Sequence, residues 1–420
     1  MTTSYWHGFA DMHGVKDNEV VFRSGQGCWI EDTAGRRYLD ATAALWYMSL
    51  GFGRSEIANA AAEQMTRLAA YSSFGAYTTE PTVQLAARIA ASAPVRDAAV
   101  FFTSGGSESV DTAAKLVRRY WDVMGRPEKK VIVSREHSYH GMAAYGTSLA
   151  GIPLNKAGYG ELVGDIVHVG HNDLDAVESL FAARAPEIAA FFTEPVIGAG
   201  GVIPPDPGYF EGLQQLCRQF DVLLVADEVI TGFGRTGELW GSTRYGIEPD
   251  LITFAKCVTS GYVPLGGVIA GPRVRAPFWD EPVPGAIFRH GYTYSGHATA
   301  CAAGLATLDV LEREDLVARV RSMEPVVERV LGRLASAPLV SEVRTVGLTG
   351  AVELSAEARA ANPGVVEAVV AAARRHGVLT RAIRGVALQF SPAFTISEEE
   401  IGQAADGFEA ALRDVAGAGA

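Results

Sequence analysis

The apolar positions of this chain change their rhythm three times. Residues 27–48 alternate short apolar runs with turn signals such as Asp32-Thr33-Ala34-Gly35, which predicts a small β meander. From residue 55 a helical spacing takes over, with Ile57, Ala60, Ala61, Gln64, Met65 and Leu68 on one face. Helical stretches then alternate with compact apolar runs at 98–102, 130–133, 164–169, 188–192, 221–226, 250–254 and 267–270. Most of these runs are continuous rather than alternating, as in strands covered on both faces. The pattern predicts an α/β fold with a mostly parallel sheet. After residue 310 long helices (309–335, 364–376, 397–415) surround short strands at 341–354 and 378–390. Ser397 followed by Glu400 predicts a capping box at the start of the last helix. The expected organisation is an N-terminal segment 1–54 joining a smaller α+β domain 309–420, with a large domain 55–308 between them.

Composition narrows the function. Acidic residues outnumber basic ones 48 to 36, a net charge of −12, which argues against a nucleic-acid binder with its basic face. No apolar stretch reaches the length of a membrane span, and the first residues lack the basic and apolar pattern of a secretory signal. Cys28, Cys217, Cys257 and Cys301 lie far apart without metal-ligand spacing, as expected of reduced thiols in a cytoplasmic protein. His137/His140 and His168/His171 lack a carboxylate motif, so no metal site is expected. Lysine is scarce, with Lys16, Lys115, Lys129, Lys130, Lys156 and Lys256 the complete set.

Ligands of α/β sheets bind beyond the carboxyl ends of the strands. Three such places carry chemistry. Run 98–102 leads into Thr103-Ser104-Gly105-Gly106-Ser107 and a helix, an arrangement that forms either an anion cradle or a serine-capped turn. It contains no Gly-Lys-Ser/Thr and is not a Walker loop. Run 221–226 ends at Asp227, which meets a cation or donor or else emerges into solvent. Run 250–254 ends at Lys256, the one lysine that leaves an apolar strand for an uncharged loop. It is either a buried amine of lowered pKa or a strand cap. The Gly232–Gly237 stretch, GFGRTG, satisfies GxGxxG but neither follows its strand directly nor opens an apolar helix, which argues against a dinucleotide site and a nicotinamide dehydrogenase. Anion cradle, carboxylate and buried lysine together are what pyridoxal phosphate requires.

These residues lie in segments that resemble the class III aminotransferases, pyridoxal 5'-phosphate enzymes of fold type I, from about residue 25 to residue 410. ADEVITGFGRTG (226–237) is similar to the family's signature strand and loop, TFAKCVTSGYVPLGG (253–267) to its Schiff-base lysine segment, and FFTSGGSES (101–109) to its phosphate turn. SREHSYHGM (134–142) and HGYTYSGHATACAAGLA (290–306) match further stretches. The resemblance implies that Lys256 holds the cofactor, that Asp227 pairs with its pyridine nitrogen and that Val229 packs on its ring. It further implies that Gly106 and Ser107 bind phosphate, that Tyr139 stacks on the ring and that Thr293 reaches the phosphate of a partner subunit in a homodimer. Amines and keto acids would be the small-molecule substrates, with ping-pong transfer to an acceptor such as pyruvate. A decarboxylase or aminomutase would share every cofactor residue.

Two features bear on the substrate. TEPVIGAGG (193–201) carries Ala199 where members acting on ornithine, acetylornithine or 4-aminobutyrate carry a glutamate that can pair with the carboxylate-binding arginine. That arginine would be Arg381 in LTRAIRGVALQFSP (379–392), with Arg384 as a competitor. Together with Trp46 in ALWYMS, this resembles the ω-amine:pyruvate and β-alanine:pyruvate branch.

Overall fold

The computed structural model describes residues 3–16, 18–280 and 283–418. Its centre is a seven-stranded sheet made of β4 (Ala99–Thr103), β5 (Val131–Arg135), β6 (Ile166–Val169), β7 (Ile188–Thr193), β8 (Leu223–Asp227), β9 (Leu251–Phe254) and β10 (Gly266–Ala270). The spatial order is β4-β10-β9-β8-β7-β5-β6. Neighbours from β9 through β6 run parallel, while β10 runs antiparallel to both β4 and β9. All seven apolar runs form strands, within three residues of the expected bounds.

Two helical layers explain why these runs are continuous. Ile132, Ala190, Phe192, Leu223 and Val225 pack against the helix Gly106–Val123 through its Val110, Ala113, Ala114, Val117 and Trp121. Val131, Val133, Phe191 and Leu224 face the helices Leu174–Arg184 and Tyr209–Gln219 on the other side. The alternation of a strand survives, but both faces are dry, so apolar residues fill most positions on both and polar ones such as Thr103, Ser134 and Thr253 stand toward the carboxyl ends. Phe191 and Phe192 are fully buried, each worth about 2–3 kcal/mol of transfer free energy.

Two smaller sheets flank this body. One joins β1 (Phe22–Gln26), β2 (Trp29–Asp32) and β3 (Arg37–Asp40) to β13 (Val378–Leu379), with β13 parallel to β3. The other has the order β11 (Val340–Val346), β12 (Thr349–Leu354), β15 (Ala387–Phe390), β14 (Ala382–Ile383). The meander therefore starts five residues before its expected position, and beyond Asp40 the chain turns into a short helix, Ala43–Trp46. The Asp40 carboxylate accepts from the amides of Thr42 and Ala44, at 2.9 and 2.7 Å, and bends the chain there.

The long helix expected at 309–335 is two helices, Ala298–Arg313 and Leu316–Gly332. Asp315 interrupts them in the left-handed region at φ 47°, a conformation that aspartate tolerates better than most residues. The run Glu312-Arg313-Glu314-Asp315 has no glycine or proline, so the break leaves no obvious mark in the pattern. The capping box is present: Ser397 N donates to Glu400 Oε2 at 2.9 Å and Glu400 N to Ser397 Oγ at 3.1 Å.

The GFGRTG stretch is a structural brace. Arg235 is 1% exposed and lies over the Phe394 ring at 4.6 Å. It donates to the carbonyls of Leu348 and Pro392 and to Ser49 Oγ, at 3.0, 2.5 and 3.1 Å. It thereby ties the loop after β8 to three separate segments. Replacing Arg235 with alanine strands those carbonyls without donors and should cost about 3 kcal/mol, read as a lower midpoint in urea unfolding.

Candidate active site

A cavity of about 430 Å3 opens at the carboxyl edge of the central sheet. Its lining brings together Ser104, Gly105, Gly106 and Ser107 after β4, Tyr139, His140 and Gly141 after β5, Glu194 after β7, Asp227 at the end of β8 with Val229 beyond it, and Lys256 after β9. Six residues expected from the sequence thus converge: Lys256, Asp227, Gly106, Ser107, Tyr139 and Val229.

Asp227, 3% exposed, is not a carboxylate emerging into solvent. His140 Nδ1 donates to its Oδ2 at 2.6 Å, and Thr253 Oγ1 and the Val229 amide donate to its Oδ1 at 3.0 and 3.1 Å. His140 is 1% exposed, and its Nε2 has no partner among the described residues. It is neither a surface group nor half of a metal pair. The histidines that do approach one another are His137 and His171, with ring centroids 5.2 Å apart. Among the described residues no group of three or more His, Cys, Asp and Glu is placed to hold a metal ion.

Lys256 opens a 3-10 turn, Lys256–Thr259, with φ at 49°. A non-glycine residue in that region is strained, and such strain collects at functional sites. Burial pushes its ammonium down to about 8. Asp227 and Glu194 pull in the opposite direction, and the Arg381 charge adds a smaller downward push. Lys129 also proves buried, although its neighbours in the sequence are polar. It is 1% exposed, lies over Trp121 at 4.5 Å, donates to the Ala185 carbonyl at 3.1 Å and is pushed down to about 8 by burial. It precedes β5, at the amino end of a strand, whereas Lys256 follows one.

The helix Gly106–Val123 starts at the cavity, and Gly105 at its N-cap brings no side chain to cover the first amides. Those amides and the helix dipole face whatever occupies the cavity. Close packing explains two glycines here. A Cβ on Gly106 would come within 2.9 Å of Val229 Cγ1, and one on Gly141, whose φ is 86°, within 2.5 Å of Ser107 Oγ. Ser107 Oγ accepts from the Met142 amide at 3.1 Å, which leaves its own proton free to donate.

Glu194 is the second buried carboxylate. Its Oε1 accepts from the Tyr139 amide and its Oε2 from the Gly198 amide, both at 2.9 Å. Burial raises its pKa. It fixes the loop that carries Tyr139 and His140. Neither His140 nor Glu194 was singled out from sequence as a site residue. His140 stands one position beyond Tyr139, and Glu194 directly follows a fully buried strand; both positions were the available signals.

Trp46, Ala199 and Arg381 are not among the residues that line this cavity. They adjoin it, Trp46 and Ala199 packing in one cluster with the lining residues Tyr139 and Ile230. Trp46 and Ala199 belong to an apolar cluster with Val196, Val202 and Ile383, and the Arg381 guanidinium sits 5.0 Å over the Trp46 ring. Trp46 Nε1 and Arg381 Nε are buried with no hydrogen-bond partner among the described residues. Arg384 is engaged elsewhere, with Nη1 donating to His137 Nδ1 at 2.7 Å. Thr293 is exposed and outside its own chain's cavity, in the turn before the helix Ala298–Arg313.

The residues present fit pyridoxal phosphate. There is an uncapped helix N-terminus for a phosphate, a buried carboxylate for a ring nitrogen, the aromatic Tyr139 and apolar Val229 in the lining, and an amine of lowered pKa.

Comparison with known proteins agrees with this geometry. The family pattern described as aminotransferase class-III matches residues 12–412. The chain is 36% identical over 438 residues to a beta-alanine–pyruvate aminotransferase of Pseudomonas aeruginosa, covering 98% of this chain and 96% of that one. It is 34% identical to gamma aminobutyrate transaminase 3, chloroplastic, of Solanum lycopersicum, covering 96% and 82%. In structure it superposes on a thermostable (S)-enantioselective omega-transaminase from Thermomicrobium roseum with a TM-score of 0.92 at 37% identity, covering 97% and 96%. With the fold, the cavity and these relatives in agreement, the chain belongs to the class III aminotransferases and is a transaminase of fold type I.

Proposed function

We propose that the cavity holds pyridoxal 5'-phosphate and that the protein moves an amino group from an ω-amino acid or amine to a keto acid such as pyruvate. The observation that carries this reading is the meeting of Lys256, Asp227 and an uncapped helix N-terminus in one cavity. When bound, the cofactor supplies an electron sink for charge developing at the substrate carbon.

Each residue then has a task. The amides of Gly106 and Ser107 and the Ser107 hydroxyl bind the phosphate. Tyr139 and Val229 enclose the ring. Asp227 keeps the ring nitrogen protonated, and His140 and Thr253 hold Asp227 in position. Lys256 anchors the cofactor aldehyde and, once released, carries the proton taken from the substrate carbon on its Nζ. The depressed pKa matters because only the neutral amine can take that proton.

On the substrate side, Arg381 is the proposed carboxylate anchor. It has no carboxylate within ion-pair distance among the described residues, whereas Arg384 is occupied by His137. Ala199 leaves Arg381 without the glutamate partner seen in other branches, and Trp46 offers an apolar wall. A relative named for beta-alanine and pyruvate supports this substrate class. A homodimer is proposed as the working unit, with Thr293 of each chain serving the other. The exposure of Thr293 supports this, as does the surface formed by Tyr71, Phe74, Tyr77 and Tyr294. A reducing compartment such as the cytoplasm fits the four free, buried cysteines. Among the described residues no helix is long and apolar enough to cross a membrane.

Lys256→Ala should lower turnover by at least about a thousand-fold and abolish the visible absorbance of the bound cofactor; retained turnover would overturn the assignment. Capture of the cofactor aldehyde by cofactor-free protein should accelerate with rising pH and level off above about 8, because the protonated amine cannot attack. A capture rate that stays flat across that range contradicts the role given to Lys256. A panel of amines and amino acids mixed with the loaded protein should include donors that convert the bound cofactor to its amine form, observed by absorbance. If no donor does so, transamination is the wrong reaction.

A further inference from the structure

A second cavity of about 580 Å3 lies away from the catalytic one. One wall is the exposed side of the helix Gly106–Val123, which presents Lys115, Arg118 and Arg119. The other is the segment 285–289, which presents Ile287, Phe288 and Arg289, and Tyr145 closes one end. Every titratable group on the lining other than the Tyr145 phenol is a cation, in a chain whose net charge is −12.

Lys115 stands three and four positions before Arg118 and Arg119, and like charges at that helical spacing repel. The surrounding acids offset only part of this. Asp122 pairs with Arg119, and Asp165 stands 3.6 Å from Arg118. Lys115 Nζ donates to His290 Nδ1 at 2.8 Å, and burial together with the Lys115 charge pushes that imidazole down to about 4. Its partner is therefore a neutral ring, and the ammonium charge is offset only in part, by the Asp111 carboxylate one turn earlier on the helix. Arg289 has no ion-pair partner among the described residues. Arg118 lies over the Tyr145 ring at 5.3 Å, and its Nε is buried without an acceptor. Incompletely compensated positive charge at the wall of a cavity, on Lys115, Arg118 and Arg289, is the complement of a dianion. The apolar side chains of Tyr145, Ile287 and Phe288 are the complement of a ring.

We propose that this cavity is a second anion site, built for an aromatic phosphate monoester. The phosphate sits among Lys115, Arg118 and Arg289, and the ring lies against Tyr145 and Phe288. A carboxylate carries one charge and satisfies fewer of these donors. A ligand there also clasps the 285–289 segment to the helix. His290 already bonds to Thr112 at 2.8 Å, and Tyr292 Oη donates to the Glu108 carbonyl at 3.5 Å. The site is thus mechanically connected to the turn that bears Thr293 and to the helix whose N-terminus faces the catalytic cavity.

The test is calorimetric titration of the cofactor-loaded protein with phenyl phosphate, with phenol and benzoate as the uncharged and singly charged controls. Phenyl phosphate should bind once per chain, benzoate at least ten-fold more weakly, and phenol not at all. Lys115→Met and the double variant Arg118→Gln/Arg289→Gln should each weaken phenyl phosphate at least ten-fold while the cofactor absorbance, which reports an intact fold, stays unchanged. The proposal fails if the loaded wild-type protein does not bind phenyl phosphate, if only cofactor-free protein binds it, or if both variants bind it as well as the wild type.

Discussion

The catalytic cavity depends on holding the Asp227 carboxylate in place away from water. A carboxylate buried at that depth is tolerated only where donors meet it. Three donors hold it in place: the His140 imidazole, the Thr253 hydroxyl and the Val229 amide. Each comes from a different stretch of chain, so the hydrogen bonds that stabilise the charge also bring three loops into register. The Glu194 clamp on the Tyr139 amide is the next link outward. Lys256 is tuned within the same field, its ammonium disfavoured by burial and partly restored by the two carboxylates.

The sheet makes this convergence possible. Strands β4, β5, β7, β8 and β9 all deliver their carboxyl ends to one edge, and each following loop contributes a lining residue. The antiparallel β10 does not join them in this; it inserts between β4 and β9 and brings Gly266 against the Ser109 region of the helix. Its glycines allow that approach, since a Cβ on Gly266 would reach within 2.7 Å of Ser109 Oγ.

Much of this was legible in the sequence, for a definite reason. Strands buried on both faces must be continuously apolar, so each of the seven stood out, and the chemistry-bearing residues stood directly after them. The orientation of β10 was not legible, because an apolar run carries no direction. The break at Asp315 was hidden because no glycine or proline marks it. Lys129 looked solvated because its neighbours in sequence are polar, while its neighbours in space are Trp121 and the Ala185 carbonyl. The role of His140 was not legible either: nothing beside a loop histidine in the sequence marks the carboxylate it meets, Asp227, until the fold brings the two together. Trp46, Ala199 and Arg381 form one group beside Tyr139, a juxtaposition of three distant segments that spacing alone cannot reveal.

The parallel pairing of β13 with β3 constrains the order in which this protein can be made. Leu39 N bonds to the Gly377 carbonyl and Ala41 N to that of Leu379, at 2.9 and 3.1 Å, so the first sheet is completed by residues more than 330 positions further along the chain. On the ribosome, the β1–β3 ribbon emerges before the whole central sheet and keeps one edge unpaired until β13 follows. Open edges of this kind are where nascent chains associate wrongly. The central sheet, whose last strand ends at Ala270, can condense in the meantime, but the first sheet closes only once residues 378–379 have been made.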